Sequence, residues 1–485
     1  MSANALRVLV CCVAWLFVAG CPDSSKKNPD PPVDATSDAV DAVDAPDDTQ
    51  VDVDATPPPE PLGYLHPLSP VEATDLNDSL TVIRVDLVAS TTTHETPDGP
   101  VAGYAYNDQT PGPTIRGKLG DTLEVHLTNN LLVPTTIHWH GAHVPWAMDG
   151  VTWKQDPVSP GETFVYTFPL IRGGTFWYHP HFDTDSQVDL GLYSVLIVED
   201  PAEPKADHEL VLVFDSFEES DHEESSVHTH VHGDTIIRDW LVNGEQKPEI
   251  AFPAGTTVRV RMLNASNSGY LDLEWPDIRQ IGADQGLLAG LEQPDRLLLG
   301  PGDRVEVEWL VDATGFTALA HPHTLLGGLA YGDPVAAFTV VGQGEEPAPE
   351  GLDWSWSEAP PSADPGSTDV VYVFSGSPHT GEWMVNAELY PEVTVETIPA
   401  GKTFVMEVRN LSPSLHPFHM HGVNFEVLSI NGKAPARRTI DDTLNLNVYD
   451  VVRLLVTNDN PGEWMVHCHI LGHAHNGMMT VIQFD

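Results

Sequence analysis

Three times along this chain a segment opens on Gly and closes on Asn nine residues later: Gly120 to Asn129, Gly255 to Asn264 and Gly401 to Asn410. Each reads as a turn that leads into a β-strand, because a Gly-x-Thr start is followed by closely spaced apolar residues. Self-similarity of this kind marks copies of one structural unit. A second marker keeps register with the first, since Gly161 precedes Gly174 by thirteen residues and Gly302 precedes Gly315 by thirteen. Short runs of Val, Thr, Leu and Phe alternate with Gly, Pro and Asn turns, and no long helical period appears. The expected fold class is therefore all-β, with three related sandwich or barrel domains near 63–200, 201–345 and 367–485. A stretch rich in Pro, Glu and Trp over 346–366 reads as the connector between the last two. A chain of 485 residues has room for this, because single cores stop growing well below that length.

The residues ahead of the first domain carry different information. Arg7 followed by the apolar run Val8 to Ala19 reads as an export leader over 1–21, too short to remain as a membrane span. Val18-Ala19-Gly20-Cys21 resembles a bacterial lipobox, which implies cleavage before Cys21 and lipidation of its thiol. The expected location is thus outside the cytoplasm, anchored to a bacterial membrane through Cys21. Residues 22–62 lack aromatics and hold 11 acids against Lys26 and Lys27, a composition expected of a disordered tether. The whole chain has a net charge of −49, so most of the acidity belongs to the folded body. Such a field disfavours nucleic acid and anionic substrates and suits cations or neutral molecules, although a solvated acidic surface accounts for the same numbers. Cys11 and Cys12 leave with the leader and Cys21 is acylated, which makes Cys468 the one thiol of the mature body and excludes disulfides.

The repeat register locates the chemistry. Nine residues after Asn129 comes His138, in His138-Trp139-His140-Gly141, and nine after Asn410 comes His419, in His419-Met420-His421-Gly422. Five residues after Gly174 comes His179-Pro180-His181, and five after Gly462 comes His467-Cys468-His469. The middle copy offers Leu273 and Trp275, then Ala320 and Pro322, at these offsets. Its His321 and His323 fall one residue out of register, which turns a strand side chain to the opposite face, so they are not expected to bind metal.

A His-x-His pair on a strand sets two imidazoles on one face, about 6.5–7 Å apart along the chain, and imidazole suits copper. Cys468 lies between two such histidines, so alternation sends its sulfur to one side and both imidazoles to the other. His416, His473 and Met478 stand three residues before His419, five after Cys468 and ten after Cys468. Two imidazoles, a thiolate and a weak thioether make the ligand set of a blue electron-transfer copper. In the first copy the equivalents of Cys468 and His416 are Pro180 and Thr135, so only the last domain is expected to carry that site.

His138-Trp-His-Gly, Trp177-Tyr-His-Pro-His181, His416-Pro-Phe-His-Met-His421 and His467-Cys-His-Ile-Leu-Gly-His473 together resemble the multicopper oxidases. The resemblance runs from about residue 100 to the end and is nearest to three-domain bacterial members of the laccase and cuprous-oxidase type. It implies three cupredoxin-like Greek-key domains and four copper ions, one of type 1, one of type 2 and two of type 3. It implies His138 and His419 on type 2, His140, His179 and His469 on one type 3 copper, and His181, His421 and His467 on the other. Type 1 would take His416, Cys468, His473 and Met478. The middle domain is left with spacing and support. Asp149, eleven residues after His138, matches the family's proton-delivery position, while Met148-Asp149-Gly150 also reads as a turn. Ala474 departs from relatives that carry Glu there, so protons are expected to take another route.

The implied reaction is one-electron oxidation of a donor coupled to reduction of dioxygen to water. Phenols or aromatic amines are the first expectation for the donor. Cu(I) or another metal ion is the second, favoured by the acidic body but opposed by only nine Met and no Met-rich insert. A copper store without turnover is the third, although every ligand position of the family is filled. The His-rich run from Asp221 to Asp234 reads either as a metal-gathering segment or as a solvated loop. A monomer is expected.

Overall fold

The computed structural model describes residues 64–65 and 68–485, apart from 97–98, 217–239, 326–331 and 355–359. The leader, the tether with Cys21 and the Asp221 to Asp234 run lie outside the described residues. Six sheets organise the rest, two in each cupredoxin-like domain. In the first domain, Val82–Thr96, Gly99–Tyr106, Thr122–Asn129 and Thr163–Pro169 form one sheet. Its companion contains Ile115–Lys118, His138–His140, Gly174–His179 and Ser194–Glu199. The α-helices among the described residues are short, at Thr184–Asp189 and Leu471–His475.

The three Gly-to-Asn segments are equivalent strands. Thr122–Asn129, Thr257–Asn264 and Thr403–Asn410 each pair in parallel with an earlier strand and antiparallel with a later one. The closing Asn has a physical reason. Asn129, Asn264 and Asn410 are fully buried, and each side-chain oxygen accepts the backbone N–H two residues on, at 2.9, 3.1 and 2.9 Å. Each amide nitrogen donates to backbone carbonyls further along, such as Val158, Leu299 and Asn447. An apolar replacement would leave several buried backbone groups without partners, which the fold tolerates poorly.

The offsets read from the repeat are cross-strand pairs. His138 faces His179, His419 faces His467 and, in the middle domain, Leu273 faces Ala320. The middle copy therefore kept the geometry and exchanged imidazoles for hydrophobic core: Leu273, Trp275 and Ala320 pack in its central cluster with Leu271 and Phe338. His321 pairs with Asp272 instead, and its Nε2 lies 2.6 Å from Glu274 Oε2. His323 stacks on Tyr270 with ring centroids 5.3 Å apart. A further cluster, with Trp177 and Val188, Val211 and Leu263, and Leu471, draws on all three domains.

Candidate metal centre

The strand ends that carry the paired histidines of the first and last domains meet. His138 stacks on His421 with centroids 3.8 Å apart and planes 20° apart, and His140 stacks on His419 at 3.7 Å and 10°. His138, His140, His179, His419, His421, His467 and His469 are at most 2 % exposed, and His181 is half-buried.

Most of these rings are held from behind by Nδ1. Asp149 O holds His138 at 3.0 Å, Pro180 O holds His179 at 2.9 Å and Asp442 O holds His419 at 2.9 Å. Asp149 Oδ2 holds His421 at 2.8 Å, and Cys468 O holds His467 at 2.8 Å. The Nε2 atoms of His138, His179, His181 and His419 are left without a hydrogen-bond partner, and those of His421 and His467 lie 3.2 Å from each other. His469 leaves both ring nitrogens unpartnered. His140 is reversed: its Nε2 meets Asp442 Oδ1 at 3.0 Å and Thr443 Oγ1 at 2.9 Å, and its Nδ1 is left open.

Buried polar atoms without partners are costly. Here they converge, with ligand atoms within 4.8 Å of one another in the groups His138/His140/His179, His138/His419/His421 and His181/His421/His467. Imidazoles anchored on one nitrogen and open on the other fit a bound transition metal such as copper. Burial, reinforced by mutual repulsion, keeps His140, His179, His181, His421, His467 and His469 well below the usual imidazole pKa. Neutral rings are the form that binds metal.

The second constellation is smaller. Cys468 Sγ lies 3.4 Å from His416 Nδ1 and 3.6 Å from His473 Nδ1, and those nitrogens are 3.2 Å apart. Burial pushes the Cys468 thiol up and His416 down to about 3. A metal here would displace the thiol proton and satisfy the sulfur. Ser412 Oγ lies 2.6 Å from His416 Nε2, and Trp383 stacks on His473 at 3.8 Å. Met478 is fully buried in the same cluster as Cys468, whereas Met479 is half-buried and pairs with His467 across the strands. Cys468 thus touches one constellation while His467 and His469 belong to the other.

Asp149 closes the turn Trp146–Met148 and is fully buried. The turn aims the carboxylate at His421 and brings Oδ1 to 3.2 Å from His138 Nδ1. Gly150 has φ +84°, and a Cβ there would meet Ile137 O at 2.0 Å, so the turn requires Gly.

Residues that motif reading missed stand behind His140. Burial pushes the Asp442 carboxyl up, but the Arg304 guanidinium and the bonds to His140 and His419 outweigh this and hold it well below the usual range. Arg304 comes from the middle domain, as does Gln285, whose Nε2 lies 2.5 Å from Asp442 Oδ2. Gly302 served in the sequence as a spacing marker. Its φ is +89°, and a Cβ on it would come within 3.1 Å of His469 and 3.2 Å of His140.

Two family models, each described as multicopper oxidase, match residues 89–203 and 362–485. A multicopper oxidase of Mycobacterium tuberculosis is 27% identical over 438 residues, covering 80% of this chain and 84% of that protein. The crystal structure of a multicopper oxidase from Pseudomonas thermotolerans superposes with a TM-score of 0.73 at 27% identity, over 84% of this chain and 100% of the other. One from Campylobacter jejuni, described as a metallo-oxidase, gives 0.74 at 25% identity, over 87% and 96%.

Proposed function

The chain belongs to the multicopper oxidases, copper oxidoreductases that use dioxygen, and from that premise we propose a laccase-like enzyme with four copper ions that oxidises phenols or aromatic amines. The observation that carries the reading is the junction at Cys468, whose sulfur faces His416 and His473 while its chain neighbours His467 and His469 face the imidazole cluster. Copper held there supplies one-electron oxidation of the donor and four-electron reduction of dioxygen to water. In this reading His416, Cys468, His473 and Met478 hold type 1, and His138 and His419 hold type 2. His140, His179 and His469 hold one type 3 copper, and His181, His421 and His467 hold the other. Asp149, behind His138 and His421, fixes two rings and stands where a proton can be kept close to the cluster.

Oxygen uptake by the copper-loaded protein with a phenolic donor, side by side with Cu(I), tests the donor. Uptake with the phenol is expected. A metal-ion donor is the second reading, supported by the net charge of −49 and by the metallo-oxidase description of the Campylobacter relative. Turnover on Cu(I) alone would select it, and full copper content with neither activity would leave a store. We also propose an exported monomer anchored by lipid on Cys21. Cys21→Ala should then release the protein from the membrane fraction, and its retention there would count against the anchor.

A further inference from the structure

We propose that Arg304, in the middle domain, is a positioning residue that sets, through Asp442, which ring nitrogen of His140 faces the metal. The inference rests on the copper-oxidase reading.

Arg304 is 1 % exposed as a residue, and all five of its guanidinium N–H donors are used. Nε donates to Thr175 O of the first domain at 3.1 Å. Nη1 donates to Gly302 O at 3.0 Å and to Asp442 Oδ1 at 2.9 Å, and Nη2 to Asp284 O at 3.1 Å and to Asp442 Oδ2 at 2.5 Å. One side chain thus joins all three domains and clamps both oxygens of Asp442. Asp442 Oδ1 is then presented to His140 Nε2. A carboxylate paired in this way only accepts, so Nε2 carries the proton and Nδ1 keeps the lone pair.

The consequence is visible around the cluster. His140 is the one of the eight imidazoles whose Nε2 is held while its Nδ1 is open. Thr443 Oγ1 supports the same arrangement, meeting both His140 Nε2 and Asp442 Oδ1 at 2.9 Å, and its N–H is fixed by Asp284 Oδ2 at 3.0 Å. Gly141 must lack a side chain, since a Cβ would lie 2.5 Å from Arg304 Nη2 and 2.6 Å from Asp442 Oδ2. Lys cannot substitute, because three donors on one nitrogen do not match a planar fork aimed at five acceptor contacts. The middle domain therefore does more than space its neighbours.

The test compares copper-loaded full-length protein with Arg304→Lys, Arg304→Gln, Asp442→Asn and the double variant Arg304→Gln/Asp442→Asn. Readouts are copper content against a competing chelator, the blue absorption, the type 2 electron paramagnetic resonance signal and the near-ultraviolet band of the coupled copper pair. Both Arg304 variants should keep the blue absorption and lose about 10–100-fold in affinity for cluster copper, with altered type 2 and near-ultraviolet signals. The double variant should be no worse than Asp442→Asn, because Arg304 acts through Asp442. Wild-type cluster affinity and spectra in Arg304→Lys, or additive losses in the double variant, would overturn the proposal. If Arg304→Gln loses the blue band and so fails to fold, Arg304→Lys decides. A wild-type protein that binds no cluster copper would instead refute the copper reading itself.

Discussion

Asp149 Oδ2 lies 2.8 Å from His421 Nδ1, a contact across 272 residues that ties a turn of the first domain to a ring of the last. Asn has nearly the same shape but no titratable proton. Asp149→Asn should therefore keep blue colour and copper content, and substrate should still reduce the blue copper under nitrogen. Reoxidation in air should slow, with turnover down by about 100-fold or more. Stopped-flow reoxidation after a copper count checks this. Near-normal reoxidation at full occupancy would remove Asp149 as the principal proton donor, and copper loss together with activity would make its role one of packing.

Cys468→Ser keeps the shape and removes the soft ligand. The intense visible absorption should vanish while much of the cluster copper stays, because His467 and His469 keep their strand. A visible spectrum and a copper assay suffice, and a fully blue variant would end the assignment.

Met478 shares the buried core of Cys468, and Met479 does not. A thioether stabilises oxidised copper weakly along the axis, so Met478→Leu should raise the reduction potential of the blue copper and Met479→Leu should leave it unchanged. Redox titration of both variants decides, and a shift confined to Met479→Leu would show the register to be wrong.

Copper-free protein should lose stability on mild acidification. Burial holds His416 near 3, against about 6.5 for an unfolded imidazole, and lowers seven of the eight cluster histidines as well. Between these values the unfolded chain binds protons that the folded chain refuses. Stability is then fully present above about pH 6.5 and falls as pH drops toward 3. Urea midpoints of the chelated protein at pH 7, 5.5 and 4.5 should decrease in that order, and a flat series would contradict the burial of these rings as neutral groups.

Much of the site was legible because a strand has a fixed period. Once Asn129, Asn264 and Asn410 set the register, His138, Leu273 and His419 had to be equivalent, and in the structure they face the equivalent residues His179, Ala320 and His467. The same rule placed His321 on the wrong face, where it meets Glu274. Arg304, Asp442 and Gln285 were not legible. They reach the cluster by tertiary packing of separate domains, and no local period records which domain leans on which. Gly141, directly after His138-Trp139-His140, carried a faint signal, since a glycine beside a ligand motif suits a close approach, but what approaches is not written next to it, and Gly302 stands far in sequence from the rings it meets.

The pair Leu273 and Ala320, set where the other domains have imidazoles, gives the chain an uneven dependence on its metal. With copper chelated, the middle domain still has a finished interior, while the faces joining its neighbours hold rings whose partner is gone. Amide hydrogen exchange should register this as two protection levels. The amides of Thr257–Asn264 and Arg304–Leu310 should exchange slowly with or without copper. Those of His138–His140 and His416–Met420 should speed up on its removal, so that the middle domain becomes the part of the molecule that remembers its shape.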